Sequence, residues 1–274
     1  MDEWKTRPTL LKDWPAEVDY ILAIDENGIS DLKGVIEAKD DLLQWFTITG
    51  VLLNREEFSG FKTKITELKM EFWKDGLFKS KRVVFHSRDI RKKLGPFNPK
   101  LIDYDKFLKN LNSIIKEENY TIFSSSIDKF AHIRQYINPY PVYELCLEFI
   151  LERYSFVLKE KGKKGLIVME SRGLKEDKKL LSTTIKLLDN GNCYHDSDDL
   201  KRIQGLYFNP KRTKNRKLSF PQLELADLIS YYIYRSIKNE SKTNDFVNIE
   251  NKLYNFPHYK GYGVKVFPKK SNIF

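Results

Sequence analysis

Apolar runs alternate along the chain with stretches whose apolar positions recur every three or four residues. "VDYILAID" (18–25) is apolar through Ile21–Ile24, turns acidic at Asp25 and Glu26, and predicts a strand. "LLQWFTITGVLLN" (42–54) predicts a second strand, paired with the first through the turn-forming "ENGISDLKG". "EEFSGFKTKITELKMEFWKDG" (56–76) predicts a helix ending at Gly76, and "RVVFHS" (82–87) a short strand. "YDKFLKNLNSIIKEEN" (104–119) predicts an amphipathic helix and "YTIFSSSID" (120–128) a strand. "PVYELCLEFILERYSFVLKE" (141–160) predicts a long, mostly buried helix with its polar stripe at Glu144, Glu148, Glu152 and Ser155. "GLIVME" (165–170) is an all-apolar strand that again ends in an acid. "KEDKKLLSTTIKLLDNG" (175–191) is a helix with a glycine stop, "LSFPQLELADLISYYIYRSIKN" (218–239) another amphipathic helix, and "GYGVKVFP" (261–268) a last strand. The alternation predicts an α/β fold, helices around a mixed sheet. We expect an N-terminal extension at 1–17 and a single domain over 18–274, which includes a basic and aromatic segment at 241–274.

A globular chain of 274 residues buries roughly three quarters of its unfolded surface, and 41% hydrophobic with 14% aromatic residues suffices for a full core. Cys146 and Cys193 are too few for a disulfide framework. No secretory apolar region stands at "MDEWKTRPTLLKDW", and no apolar run approaches the roughly 18 residues of a membrane helix. The expectation is a soluble, reduced, cytoplasmic protein without membrane association. Net charge is +10 and unevenly spread. "KRTKNRK" (211–217) holds five basic residues in seven and "RDIRKK" (88–93) four in six; after Glu250 come five lysines, six aromatics and no acid. Basic patches beside aromatics suit a polyanion with bases to stack, which makes nucleic acid the expected partner. A lysine-rich proteome bias is the plainer explanation of the charge.

Ionised acids seldom end an apolar strand without a partner. If strands 18–25 and 165–170 are parallel neighbours, Asp25 and Glu170 meet outside their C-terminal ends, where α/β sheets bind ligands. Such carboxylates repel unless a cation neutralises them, and hard Mg²⁺ or Mn²⁺ suits oxygen donors. Asp227 interrupts the apolar side of helix 218–239, with Glu224 one turn earlier, and is a third candidate. Each acid also has a plain reading. Asp25–Gly28 is a good turn sequence, Glu170 could pair with Arg172, and Asp227 could bond buried backbone or Arg235.

"AIDENG", "FHSRDI", "VMESRG", "LELADLISYYIYR" and "GYGVKVFP", in that order over roughly 18–268, resemble the prokaryotic domain-of-unknown-function 3800 family. The resemblance implies an RNase H-like mixed sheet and catalytic acids at Asp25, Glu170 and Asp227, with Glu26 a fourth candidate. It puts His86 near the site, with a backbone-satisfied strand histidine as the alternative. Asn27 stands where the family usually has Ser, and Glu224 where it usually has Gln, which leaves the role of Glu224 open. Glu144 and Glu148 lie where RNase H-like enzymes often carry a further acid; their regular stripe favours a solvated face.

The implied activity is a metal-dependent nuclease hydrolysing DNA or RNA phosphodiesters. Two Mg²⁺ or Mn²⁺ ions roughly 4 Å apart, held by Asp25, Glu170 and Asp227, would activate water and stabilise the leaving oxygen. Arg88, Arg172, Lys211, Arg212, Arg216 and Lys217 are the candidates for holding phosphates. "HDSDDL" (195–200) is a competing metal motif that lacks calcium-loop spacing and reads better as a solvated loop. The rival reading is a catalytically silent module that binds nucleic acid or protein on the same fold. Nucleotide hydrolysis is weaker, because no glycine-rich phosphate loop is present. By association with the family, a role in mobile-element conflict or antiviral defence would suit such a nuclease.

Overall fold

The structure, a computed structural model, describes residues 3–35, 43–191 and 200–269. In chain order the elements begin with α1 (Glu3–Thr6), β1 (Tyr20–Asn27), β2 (Trp45–Asn54), α2 (Arg55–Phe72), β3 (Leu77–Phe78), β4 (Lys81–Arg82) and α3 (Ser87–Arg91). There follow α4 (Tyr104–Glu117), β5 (Thr121–Asp128), α5 (Lys129–Gln135), α6 (Val142–Glu160), β6 (Gly165–Glu170) and α7 (Leu174–Asn190). The last are β7 (Ile203–Asn209), α8 (Pro221–Lys238), α9 (Asn244–Ile249) and β8 (Val264–Phe267). They form one α/β domain around a mixed sheet.

The sheet order is β7-β6-β1-β2-β5-β8. β1, β2 and β5 form an antiparallel meander. β6 joins β1 in parallel and β7 joins β6 in parallel, while β8 runs parallel to β5 at the other edge. An antiparallel meander extended by parallel strands at both edges is the expected mixed α/β sheet.

Alternation along each strand divides the core in two. Ile21, Ala23, Trp45, Val51, Leu166 and Val168 face α2, α4, α8 and α9. Leu22, Ile24, Phe46, Ile48, Ile167 and Met169 face α6 and α7. A residue such as Leu22 or Ile167, with no exposed surface, contributes on the order of 1.5–3 kcal/mol by leaving water. The edge strand β7 is covered by the N-terminal segment. Phe208 N–H donates to the Thr9 carbonyl (2.8 Å), and the Asn209 side chain bonds both backbone groups of Leu11 at 3.0 Å.

Three boundaries differ from the sequence reading. The expected turn at Asp25–Gly28 is strand as far as Asn27, and Gly28 is the first residue past the strand. That residue has φ +92°, and a Cβ there would lie 2.3 Å from the Trp45 carbonyl oxygen. The expected helix 56–76 opens on an Asn54–Glu57 capping box but stops at Phe72. Trp73 turns extended and buries its indole against Phe97 and Phe107. The expected strand "RVVFHS" reaches only Arg82, in a two-stranded hairpin outside the main sheet. Residues 83–86 are extended but leave the sheet, because carboxylates of α8 accept N–H groups of this segment. Phe85 N–H donates to Glu224 Oε2 (2.8 Å) and Ser87 N–H to Asp227 Oδ2 (2.6 Å). β3, β7, α1, α3, α5 and α9 have no counterpart in the sequence pattern; Gly205 and mixed exposure blur that of β7.

α2 is fastened to α8 by a buried ion pair. Lys69 Nζ lies 2.7 Å from both Glu224 oxygens and 2.9 Å from Ser219 Oγ. Burial pushes the Lys69 amine below its usual range, and Glu224 opposes that shift. Removing one partner strands the other's charge. Lys69→Met is therefore expected to cost about 3–5 kcal/mol in urea denaturation. Lys69→Met with Glu224→Gln is expected to recover most of that, since Gln still accepts from Phe85. A double variant as unstable as Lys69→Met would show that packing, not charge, sets the cost.

Candidate active site

β1 and β6 pair in parallel up to Ile24 beside Met169. One residue further along, Asp25 and Glu170 stand side by side. Both continue the alternation of Ala23 and Val168, so both face α8. α8 crosses β1 and β2 and brings Asp227 onto them. The three acids expected from the sequence therefore come together, each from a different element. They line a cleft of about 470 Å³ with Glu26, Asn27, His86, Ser87, Arg88, Arg91, Lys92, Arg172 and Lys211.

Asp25 is half-buried. Its carboxyl is held well above the usual range, first by loss of water, then by the charges of Asp227 and Glu170 and a hydrogen bond with Asp227; Arg172 partly opposes this. Two ionised carboxylates about 4 Å apart repel by about 4 kcal/mol at an effective dielectric near 20, enough to favour a shared proton or a bound cation. Glu170 is also raised by burial and by Asp227, against the pull of Lys211, 3.5 Å away, and of His86.

Asp227 is held on both oxygens by Ser87. The backbone N–H donates at 2.6 Å and the hydroxyl at 3.2 Å. The plain reading of a bond to buried backbone is thus realised together with the convergence on Asp25. Asn27 donates to Ser230 Oγ of α8 (2.9 Å) and ties the end of β1 to that helix. Thr47–Ser126 and Thr49–Ser124 hydroxyl pairs, 2.7 and 3.0 Å, continue this polar seam inside the sheet.

Adjacent strand residues point to opposite faces, so Glu26 goes with Leu22 and Ile24 to the α6 side. There it pairs with Arg172, whose guanidinium lies 5.2 Å from the Tyr143 ring centre. Arg172 thus pairs with Glu26, and the acid's own salt bridge is to Lys211, so the expected Glu170–Arg172 pair is not the one formed. His86 precedes α3 without a side-chain capping bond, and its Nδ1 is 3.5 Å from Asp89, which replaces the strand-histidine alternative. Glu224 is engaged by Lys69 and Phe85 one turn from Asp227.

Of the phosphate-holding candidates, Arg88, Arg172 and Lys211 line the cleft. Arg212 donates to the Arg82 carbonyl at 2.6 Å, and Arg216 and Lys217 accept from Arg82 through their carbonyls, so this loop braces β4 outside the cleft. Sequence reasoning missed Ser87, Arg91 and Lys92. The first was visible only as part of "FHSRDI", the others as the basic run after it. Arg91 lies 3.6 Å from the Tyr231 ring centre. Glu144 and Glu148 are half-buried on α6, and neither lines the cleft. Residues 195–199 of the "HDSDDL" motif lie outside the described residues.

The donors of Asp25, Glu170 and Asp227 are all oxygens, and the crowding that raises Asp25 is what a divalent cation would relieve. This chemistry fits the ion. In the present arrangement, no group of three or more His, Cys, Asp or Glu side chains among the described residues is poised to hold a metal. Their partners are instead Ser87, Lys211 and each other. Among the described residues no helix is long and apolar enough to cross a membrane. No protein-family model matches the chain, and no curated protein matches it in sequence.

A carboxyl raised in the folded state stabilises the protein below its unfolded value near 4, and that contribution is lost as pH rises through the folded value. In chelator, the wild-type melting temperature is expected to fall as pH rises from about 4 towards neutrality. Asn at position 25 keeps a donor towards Asp227 at every pH. Asp25→Asn is therefore expected to match the wild type near pH 4 and exceed it at neutral pH by on the order of 1 kcal/mol, allowing for the site's partial exposure. A variant less stable than the wild type at neutral pH would make Asp25 a structural acid.

Proposed function

We propose that the protein is a metal-dependent nuclease that hydrolyses phosphodiester bonds of DNA or RNA. The observation that carries the reading is the convergence of Asp25, Glu170 and Asp227, from two parallel strands and a crossing helix, in a cleft rimmed by cations. Ligands of α/β sheets sit at this carboxyl edge. The resemblance to the domain-of-unknown-function 3800 family points the same way and rests on the motifs quoted from the sequence.

Asp25, Glu170 and Asp227 would hold Mg²⁺ or Mn²⁺, which when bound activates water for in-line attack and stabilises the leaving oxygen. Ser87 fixes Asp227 through two hydrogen bonds, so its carboxylate needs little reorganisation. Lys211 pairs with Glu170 and Arg172 with Glu26; both line the cleft, where each would donate to a substrate phosphate. Arg88, Arg91 and Lys92 extend the positive rim along α3. No protein nucleophile is needed.

A catalytically silent nucleic-acid module is the second reading. It is favoured by the cations that already neutralise Glu170 and Glu26 and by the lack of a preformed three-ligand group among the described residues.

The wild type is expected to cleave labelled DNA or RNA in Mg²⁺ or Mn²⁺ and not in chelator. Asp25→Asn and Asp227→Asn should lower the rate by more than about a hundredfold, beyond the effect usual for an outer-shell partner, while still unfolding cooperatively. Binding should weaken steeply with salt, and Lys211→Ala should reduce the log–log salt slope by about one. Salt-sensitive binding without cleavage would select the silent module; neither would remove nucleic acid as the partner.

A further inference from the structure

A second cavity, of about 610 Å³, adjoins the cleft on the α6 side of the sheet. Its size falls within the range of about 300–1,000 Å³ typical of small-ligand pockets. Arg172 lines both cavities. From the nucleic-acid reading above, on which this rests, we infer that the second cavity receives an unstacked nucleobase next to the scissile phosphate, making single-stranded nucleic acid the substrate.

The walls differ in kind from those of the cleft. Leu32, Pro139, Pro141, Tyr143 and Leu180 give apolar surface for a flat ring. The charged lining has one more acid than cation: Asp31, Glu144 and Glu176 against Lys179 and the shared Arg172. Arg172 is already paired with Glu26. An acidic excess disfavours a phosphate and suits the exocyclic amino groups of bases, as carboxylates accept from cytosine N4. The charge step between cavities therefore matches a nucleotide laid across Arg172, its phosphate on the cationic side and its base on the other.

The second cavity is preformed. Lys129 is buried, and its amine donates to the carbonyls of Ile29 (2.5 Å) and Asp31 (3.2 Å), fixing one wall. His132 Nε2 donates to the Tyr140 carbonyl (2.9 Å), fixing the loop that carries Pro139 and Pro141. Tyr140, between those prolines, leaves half its surface in water, available to a neighbouring base. Glu176, Lys179, Leu180 and Thr183 form one face of α7 and close the opposite wall. The Tyr143 hydroxyl is buried with no hydrogen-bond partner among the described residues. Tyr143 lines this cavity, and burial, then the charge of Asp25, push its hydroxyl up.

The test is binding of fluorescein-labelled oligodeoxycytidine, oligothymidine and an abasic chain of equal length, by anisotropy in chelator, with ribose counterparts alongside. The wild type should bind the cytidine chain several-fold tighter than the thymidine chain, and the abasic chain most weakly. Thr183→Trp fills the cavity; it should weaken cytidine binding about tenfold and leave the abasic chain unchanged. Glu144→Ala, a change at a half-buried position, should erase the preference for cytidine over thymidine, and it keeps the inference testable if the tryptophan variant misfolds. Equal affinity of the wild type for all three chains overturns the inference, as does equal weakening of cytidine and abasic binding by Thr183→Trp, or no binding of any single strand. Base-dependent binding without metal-dependent cleavage would sink the nuclease reading alone. Cleavage of duplex without base dependence would sink this inference alone.

Discussion

The backbone ladder between β1 and β6 sets Ile24 beside Met169, and every feature of the cleft depends on that register. A slip of one residue would send one of the two acids that follow to the opposite face of the sheet. In the observed register both face α8, where Asp227 approaches from a helix that covers β1 and β2. Parallel neighbours place their carboxyl ends together, so the repulsion among the acids follows from the topology. Burial first, and then that repulsion, hold the Asp25 carboxyl above its usual range.

The surrounding structure answers the burial of those charges. Asp227 receives two hydrogen bonds from Ser87, and Glu224 an amine and a backbone N–H from Lys69 and Phe85. These bonds draw the segment 83–87 away from the sheet and lay it against α8, with α3 and its cations at the rim of the cleft. Packing of the Trp73, Phe85, Phe97 and Phe107 rings holds the same segment from behind. A polar requirement and an apolar cluster thus fix one stretch of backbone.

The sheet also separates two neighbouring acids. Asp25 belongs to the α8 face and Glu26 to the α6 face, where Arg172 pairs with it beside Tyr143. Arg172 consequently stands between a cleft in which cations outnumber acids by one and an apolar-walled cavity in which acids outnumber cations by one. One strand end serves two environments because its side chains alternate.

The apolar runs at 20–24 and 165–169 and the 3.6-residue patterns of α4, α6, α7 and α8 determined the α/β layers by themselves, since burial of a strand or helix face must be written into its own residues. The acids that end those runs, and Asp227 within an apolar face, marked the site for the same reason: a carboxylate among apolar neighbours needs a partner. Only the tertiary structure decided which partners. That Arg172 meets Glu26 rather than Glu170, that Lys69 from α2 neutralises Glu224, and that Ser87 rather than Arg235 holds Asp227 depend on residues 140 to 155 positions apart in the chain. Local sequence carries periodicity, which is a property of neighbours; it carries no distance between elements, and buried charge is satisfied across such distances.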